Sequence, residues 1–150
     1  MRTLREQLAG SDKRGAVVDD CCRVLDQEVS DKSGLAGLAV KAAYKVVQGV
    51  APGFVRQVVE HLLDDFLDAL QPVYAESLEQ GIVPSKHLVT ESSRVADALL
   101  SVTDRRAEKA KRAVIKKTYE KLRPAAKKHV EAAAPRLGAL LENHAEQGSG

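Results

Sequence analysis

In LAGLAVKAAYKVVQGVAPGFVRQVVEHLLDDFLDAL, Leu35 to Leu70, apolar residues recur twice at the spacing of a helix. Leu35, Leu38, Ala39, Ala42, Ala43, Val46, Val47 and Val50 share one side of a 3.6-residue period, and Val55, Val58, Val59, Leu62, Leu63, Phe66, Leu67 and Leu70 repeat the pattern. Neither series alternates as a half-buried strand does. Gly49, Pro52 and Gly53 punctuate the join, so the stretch predicts two antiparallel helices linked by a short turn.

The same period extends in both directions. Upstream, a first turn around Leu4 and Leu8 precedes a helix from Ser11 or Asp12 that carries Val17, Val18, Cys21, Leu25 and Val29, until Asp31, Ser33 and Gly34 break it. Downstream, Pro72 is expected to kink or end its helix, with a brief continuation through Val73, Tyr74 and Leu78 to Gly81. GIVPS, Gly81 to Ser85, reads as a connector to a helix bearing Leu88, Ser92, Val95, Ala96, Leu99 and Val102. Pro124 and Pro135 are expected to divide the C-terminal helical material. AAYKVVQGVAP, Ala42 to Pro52, and AAKKHVEAAAP, Ala125 to Pro135, match in two alanines, a lysine, a valine and the Ala-Pro pair, which hints at an internal repeat; two helices each ended at a proline turn is the preferred reading.

The reading is therefore all-α: a compact bundle of six or seven helices in antiparallel hairpins, one domain over residues 1–146 with a tail at 147–150. Its expected core joins Leu38, Ala42, Val46, Val58, Leu62, Phe66 and Leu99.

Composition narrows the chemistry. The chain has 150 residues, 44% hydrophobic but only 3% aromatic, so the core must be built from Ala, Val and Leu. Its two cysteines are adjacent, Cys21 and Cys22, a spacing unsuited to a disulfide framework or a zinc knuckle; this points to a reducing, cytoplasmic setting. No apolar signal region opens the chain. The most apolar window, Leu35 to Val55, contains Lys41, Lys45, Gln48 and Pro52 and reads as a buried helix and turn rather than a membrane span.

Two runs, SGLAGLAVKAAYKVV from Ser33 to Val47 and YEKLRPAAKKHVEAAAPRLGALLE from Tyr119 to Glu142, resemble an uncharacterised bacterial all-helical family of unknown function. The resemblance implies a bacterial, cytoplasmic helical domain and brings no activity, ligand or catalytic residue.

Three local features bear on chemistry. HLLDDFLD spells DDxxD at Asp64, Asp65 and Asp68, which resembles the aspartate-rich motif by which isoprenoid synthases hold magnesium and a diphosphate. Carboxylates at i and i+4 do share a helical face, and His61 could join Asp65 as a ligand pair. No second acidic motif faces them, so solvated surface carboxylates are the reading preferred, with no metal and no cofactor implied. Cys21 reads as a small core residue rather than a nucleophile, and no phosphate-binding glycine loop occurs.

Charge is the strongest non-local signal. Arg105 to Lys128 holds 11 Lys and Arg against two Glu, whereas residues 1–104 hold 11 basic and 16 acidic groups. On a continuous helix Arg105, Arg112, Lys116, Arg123 and Lys127 would form one narrow stripe, a candidate anion-binding surface for nucleic acid or anionic membrane. The alternative is a solvated face, or a partner for acidic helices elsewhere in the chain. Lys41 and Lys45, at i and i+4 around Tyr44, are a lesser candidate for an anionic ligand in a groove. Apolar helical faces are abundant and catalytic constellations are not. The leading expectation is a non-catalytic helical binding or assembly module, acting through a protein partner or self-association; the rivals are the electrostatic binder and a metal-assisted enzyme using Asp64, Asp65 and Asp68.

Overall fold

A computed structural model describes residues 2–145, which form seven α-helices and no strand: α1 (Leu4–Leu8), α2 (Ser11–Asp31), α3 (Gly34–Gln48), α4 (Phe54–Glu79), α5 (Pro84–Thr90), α6 (Ser92–Glu108) and α7 (Ala113–His144). The all-helical class and the helix number agree with the apolar periodicity. The tail expected at 147–150 lies outside the described residues. Among the described residues no helix is long and apolar enough to cross a membrane.

Local chemistry sets several boundaries. Thr3 Oγ1 accepts from the Glu6 amide (3.1 Å) while the Glu6 carboxylate accepts from the Thr3 amide (3.3 Å), a reciprocal cap that starts α1. At the other end of α4, Gly81 takes φ 67°, the Ile82 amide donates to the Ser77 carbonyl (2.9 Å) and the Gly81 amide to the Leu78 carbonyl (3.2 Å). This is a Schellman stop, which needs a left-handed residue at the position after the cap. Pro84 then opens α5 at its first turn, where a missing amide costs nothing.

The core is centred on α4. Leu63, Leu67, Leu70, Val73 and Tyr74 pack with Leu4 and Leu8 of α1, Val17 and Val18 of α2, Leu88 of α5, Val95 and Leu99 of α6, and Ala134, Leu140 and Leu141 of α7. Each fully buried leucine contributes about 1.5–3 kcal/mol relative to exposure. α5 approaches α7 so closely that a β carbon at Gly138 would lie 2.3 Å from the Ser85 Cα. Glu142 of α7 meets the same turn, accepting from the Ser85 amide at 2.8 Å.

Four expectations are corrected. The prolines neither end nor divide helices: Pro72 lies inside α4, and Pro124 and Pro135 lie inside α7. All three face solvent, so the carbonyl four residues earlier, at Asp68, Glu120 or Glu131, is left on the side where water can serve it; the turns around Pro72 and Pro135 carry buried residues, and those around Pro124 are held to α6 by ion pairs of Arg123 and Lys127. The two AA…AP runs consequently differ, the first finishing α3 and the second lying within α7. The helix expected through Leu88 to Val102 is two, α5 and α6, parted at Glu91 (φ −101°, ψ 27°), where Thr90 Oγ1 bonds back to the Lys86 carbonyl at 3.2 Å.

The third correction concerns α3. Leu35 (87% exposed), Leu38 (64%) and Val46 (45%) face water and Ala42 is exposed, so this part of the expected core, and the buried helix read from Leu35 to Val55, are not formed. Leu62 and Leu99 are buried, and Phe66 packs on the core as predicted. The apolar side of α3 is wider than α2, α4 and α7 together cover. Val40, Val47 and Val50 are half-buried and leave the opposite arc bare.

The fourth concerns the basic segment, which is not one helix. α6 ends at Glu108 and α7 begins at Ala113. In a continuous helix Arg105 and Lys109, Arg106 and Lys109, and Lys109 and Arg112 would stack like charges three or four residues apart, which disfavours helix across the join. The turn also lets α7 fold back along α6.

Candidate functional site

The fold-back divides the candidate basic stripe. Arg123 of α7 grips Asp104 of α6 through Nε (2.8 Å) and Nη2 (3.0 Å), and Tyr119 donates its hydroxyl to the same carboxylate while lying 2.7 Å from Thr103 Oγ1. Further along, Lys127 reaches Asp97 at 3.1 Å. Partners descend α6 as they ascend α7, so these cations join the two helices. The Arg123 guanidinium, with help from Tyr119, holds the Asp104 carboxyl below the usual carboxylate range, and burial pushes the Tyr119 hydroxyl up. Arg105 stands in the last turn of α6, and Arg112 is the N-cap of α7. Arg105, Arg112 and Lys116 have no ion pair among the described residues.

The acidic arc of α4 is engaged by arginines from α1 and α2. Asp64 accepts from Arg14 at 2.8 Å and lies 3.6 Å from Arg5, while Asp68 accepts from Arg5 at 2.8 Å. Asp65 is exposed, and His61 Nδ1 lies 2.7 Å from the Gln57 carbonyl. The motif thus holds the N-terminal helices to α4. No group of three His, Cys, Asp or Glu side chains among the described residues has metal-binding spacing.

The break between α6 and α7 opens a groove of about 450 Å³. Its floor is apolar: Phe54, Val58 and Leu62 from α4, Ala107 and Ala110 from the α6 end, and Ile115 from α7. Around it stand Arg106, Lys109, Lys111 and Arg112, with Gln57, His61, Thr103 and Tyr119 as neutral polar groups at the sides. None of the four cations has an ion pair among the described residues. α7 starts here without a side-chain cap, so its positive dipole end adds to their field.

Residues 4–145 match a family described as a family of unknown function, DUF6918. The chain belongs to that family. No curated protein and no solved structure matches it.

This DUF6918 chain carries a second open surface beside α3. A groove of about 550 Å³ between the end of α2 and α3 is lined by Val29, Leu38, Ala42 and Tyr44, with Lys41 and Lys45 along it. Tyr44 donates its hydroxyl to Asp26, which fixes α3 on α2. The thiols offer no reactive centre: burial pushes Cys21 up to about 12, and raises Cys22 as well, so neither is a thiolate near neutrality. Nor is any buried side-chain nitrogen or oxygen among the described residues left without a partner.

A polar cluster ties α4, α5 and α6. Glu76 accepts from Arg94 at 2.9 and 2.6 Å and lies 3.2 Å from Nε2 of buried His87. These bonds, Arg94 first and His87 second, hold the Glu76 carboxyl down to about 2.

Of the residues singled out from sequence, Arg112 of the candidate basic stripe and His61 of the acidic arc line this groove, whereas Lys116 and Arg123 of the stripe line a neighbouring one beside Asp104, Glu108 and Glu120. Arg106, Lys109 and Lys111 were visible only as part of the net charge. Their distinction from Arg123 and Lys127 depends on where Asp97 and Asp104 fall, which the helical period of 105–128 does not carry.

Proposed function

We propose that the chain is a non-catalytic helical binding module that docks an acidic amphipathic helix of a partner protein on α3. The observation that carries this reading is the contiguous exposure of Leu35, Leu38 and Val46, with Ala39 and Ala42 between them. Single exposed leucines are ordinary; an uncovered stripe along a helix marks an interaction surface. Sequestering Leu35 and Leu38 in a helix-in-groove contact would contribute about 1.5–3 kcal/mol for each, and the small alanines allow close approach.

Charge selects the occupant. Lys41 and Lys45 flank the stripe, and no Asp or Glu occurs between Asp31 and Glu60. A second copy would set like charges against each other, whereas a helix with acidic flanks meets complementary ones. A bacterial cytoplasmic setting suits the reading, given the two free thiols at Cys21 and Cys22.

The test compares wild type with Leu35→Gln/Leu38→Gln in capture from a native lysate, followed by titration of peptides from each captured protein. A captured protein that is lost with the variant, and whose binding peptide is an acidic amphipathic helix, supports the reading. Capture unchanged by the variant, or a concentration-dependent dimer that the variant abolishes, overturns it.

A further inference from the structure

We infer that the groove between α4, α6 and α7 binds a single-chain amphiphilic anion, a hydrocarbon tail bearing a carboxylate or phosphate head. The inference is independent of the α3 reading, since the two surfaces share no residue.

Two halves of the groove ask for two halves of one ligand. Phe54, Val58, Leu62, Ala107, Ala110 and Ile115 make a floor with few polar groups, which suits a flexible chain and gives little hold to a nucleotide or a sugar. A volume of about 450 Å³ lies within the range of small-molecule sites. Arg106, Lys109, Lys111 and Arg112 are exposed, line the same groove and have no ion pair among the described residues. Elsewhere on the same two helices, Arg123 and Lys127 are neutralised by Asp104 and Asp97, and Arg94 by Glu76 and Glu91. Four cations of the segment without an ion pair among the described residues thus stand where the apolar floor opens, while Arg105, Lys116, Lys117, Lys121 and Lys128, likewise without one, lie elsewhere on α6 and α7.

Four like charges held close together repel one another, a cost that an anion at the rim removes. Arginine is the side chain best shaped to grip a carboxylate or phosphate through two parallel N–H bonds, and Arg106 and Arg112 stand on either side of the turn. The uncapped start of α7 adds main-chain amides and dipole to the same end. Nucleic acid is less well served: the floor is mostly aliphatic, with Phe54, His61 and Tyr119 as the aromatic lining residues rather than a stacking platform for successive bases.

The test is calorimetry on the full chain with dodecanoate and dodecyl phosphate below their critical micelle concentrations. Dodecanol, acetate and inorganic phosphate serve as half-ligands, and a short DNA duplex is a separate arm. Micromolar binding of either amphiphile, with each half-ligand much weaker, is the result expected. Dodecanoate alone would indicate a fatty acid and dodecyl phosphate alone a lysophospholipid, and either outcome supports the site. Arg106→Gln/Arg112→Gln should weaken the amphiphile about tenfold or more, the worth of one charge-assisted hydrogen bond, with the helical spectrum unchanged. Ala110→Phe, which fills the floor, should weaken it independently, while Leu35→Gln/Leu38→Gln should leave it intact. Dodecanol binding as well as dodecanoate, phosphate binding as well as dodecyl phosphate, DNA retained while both amphiphiles fail, or amphiphile binding that both groove variants leave unchanged would each overturn the inference.

Discussion

Gly138 and Ser85 are in backbone contact: a β carbon at Gly138 would come within 2.3 Å of the Ser85 Cα and 2.9 Å of its nitrogen. The two nearest of these atoms are main chain rather than a flexible tip, so α5 and α7 must separate to admit any larger residue. Gly138→Ala is therefore expected to destabilise by about 1–3 kcal/mol, despite alanine's better helix propensity. Gly15 of α2 has nothing within 4 Å of its β position, and Gly15→Ala should stabilise by about 0.5–1 kcal/mol. Urea unfolding of the pair, read by circular dichroism, checks both signs.

The exposed side of α3 gives a second contrast. Leu38→Ala should change stability by less than about 0.5 kcal/mol, because the side chain already stands in water. Leu63→Ala removes a buried side chain from the α4 spine and should cost about 2–5 kcal/mol. A Leu38→Ala cost near that of Leu63→Ala would show that α3 is buried in solution.

Acid should loosen the protein through its paired carboxylates. Glu76 sits at about 2 when folded against 4.5 unperturbed, so its contribution is complete above 4.5 and is lost as pH falls toward 2. Asp104 and Asp20 are lowered too, by hydrogen bonds from Arg123 and His144 respectively, and act in the same direction. Thermal melts from pH 6 to about 2.5 should show a falling midpoint, and Glu76→Gln should flatten that slope while lowering the plateau.

The acidic arc should behave as a structural clasp. Asp64→Asn with Asp68→Asn removes the ion pairs of Arg5 and Arg14, although Arg14 keeps its bonds to the Glu60 and Ala9 carbonyls, and should cost about 0–1 kcal/mol, as partly exposed ion pairs do. Calorimetry with magnesium, manganese and zinc should give no micromolar binding that disappears on Asp65→Asn/Asp68→Asn. Heat that does vanish with those carboxylates would restore the metal-assisted reading.

Much of the architecture is legible in apolar spacing, because period and core face are one fact for α4, whose Leu62, Leu63, Leu67 and Leu70 are buried where the pattern puts them. The same logic misleads at α3: Leu35, Leu38 and Val46 obey the period, but spacing records only that a face is apolar, not that this chain covers it. Proline misled for a related reason. Pro72, Pro124 and Pro135 break local hydrogen bonds, yet whether a helix survives depends on facing water at that position and on packing either side. At the basic segment the net charge was visible, while its division into paired Arg123 and Lys127 and unpaired Arg106 and Lys109 required knowing which helix folds back on which.

α7 spans about 48 Å as a 32-residue helix and reaches back to the beginning of the chain. Asp20 meets His144 across 124 residues of sequence, and Glu28 meets Arg136 across 108. On the ribosome, Asp20, Glu28 and Asp31 of α2 must therefore wait for their α7 partners, and through that interval the sides of α2, α5 and α6 that pack on α7 lack its cover. The helix that closes the native structure is thus also the one whose delay sets how long a nascent chain exposes apolar surface, so slow translation through Ala113 to His144 would lengthen that exposure.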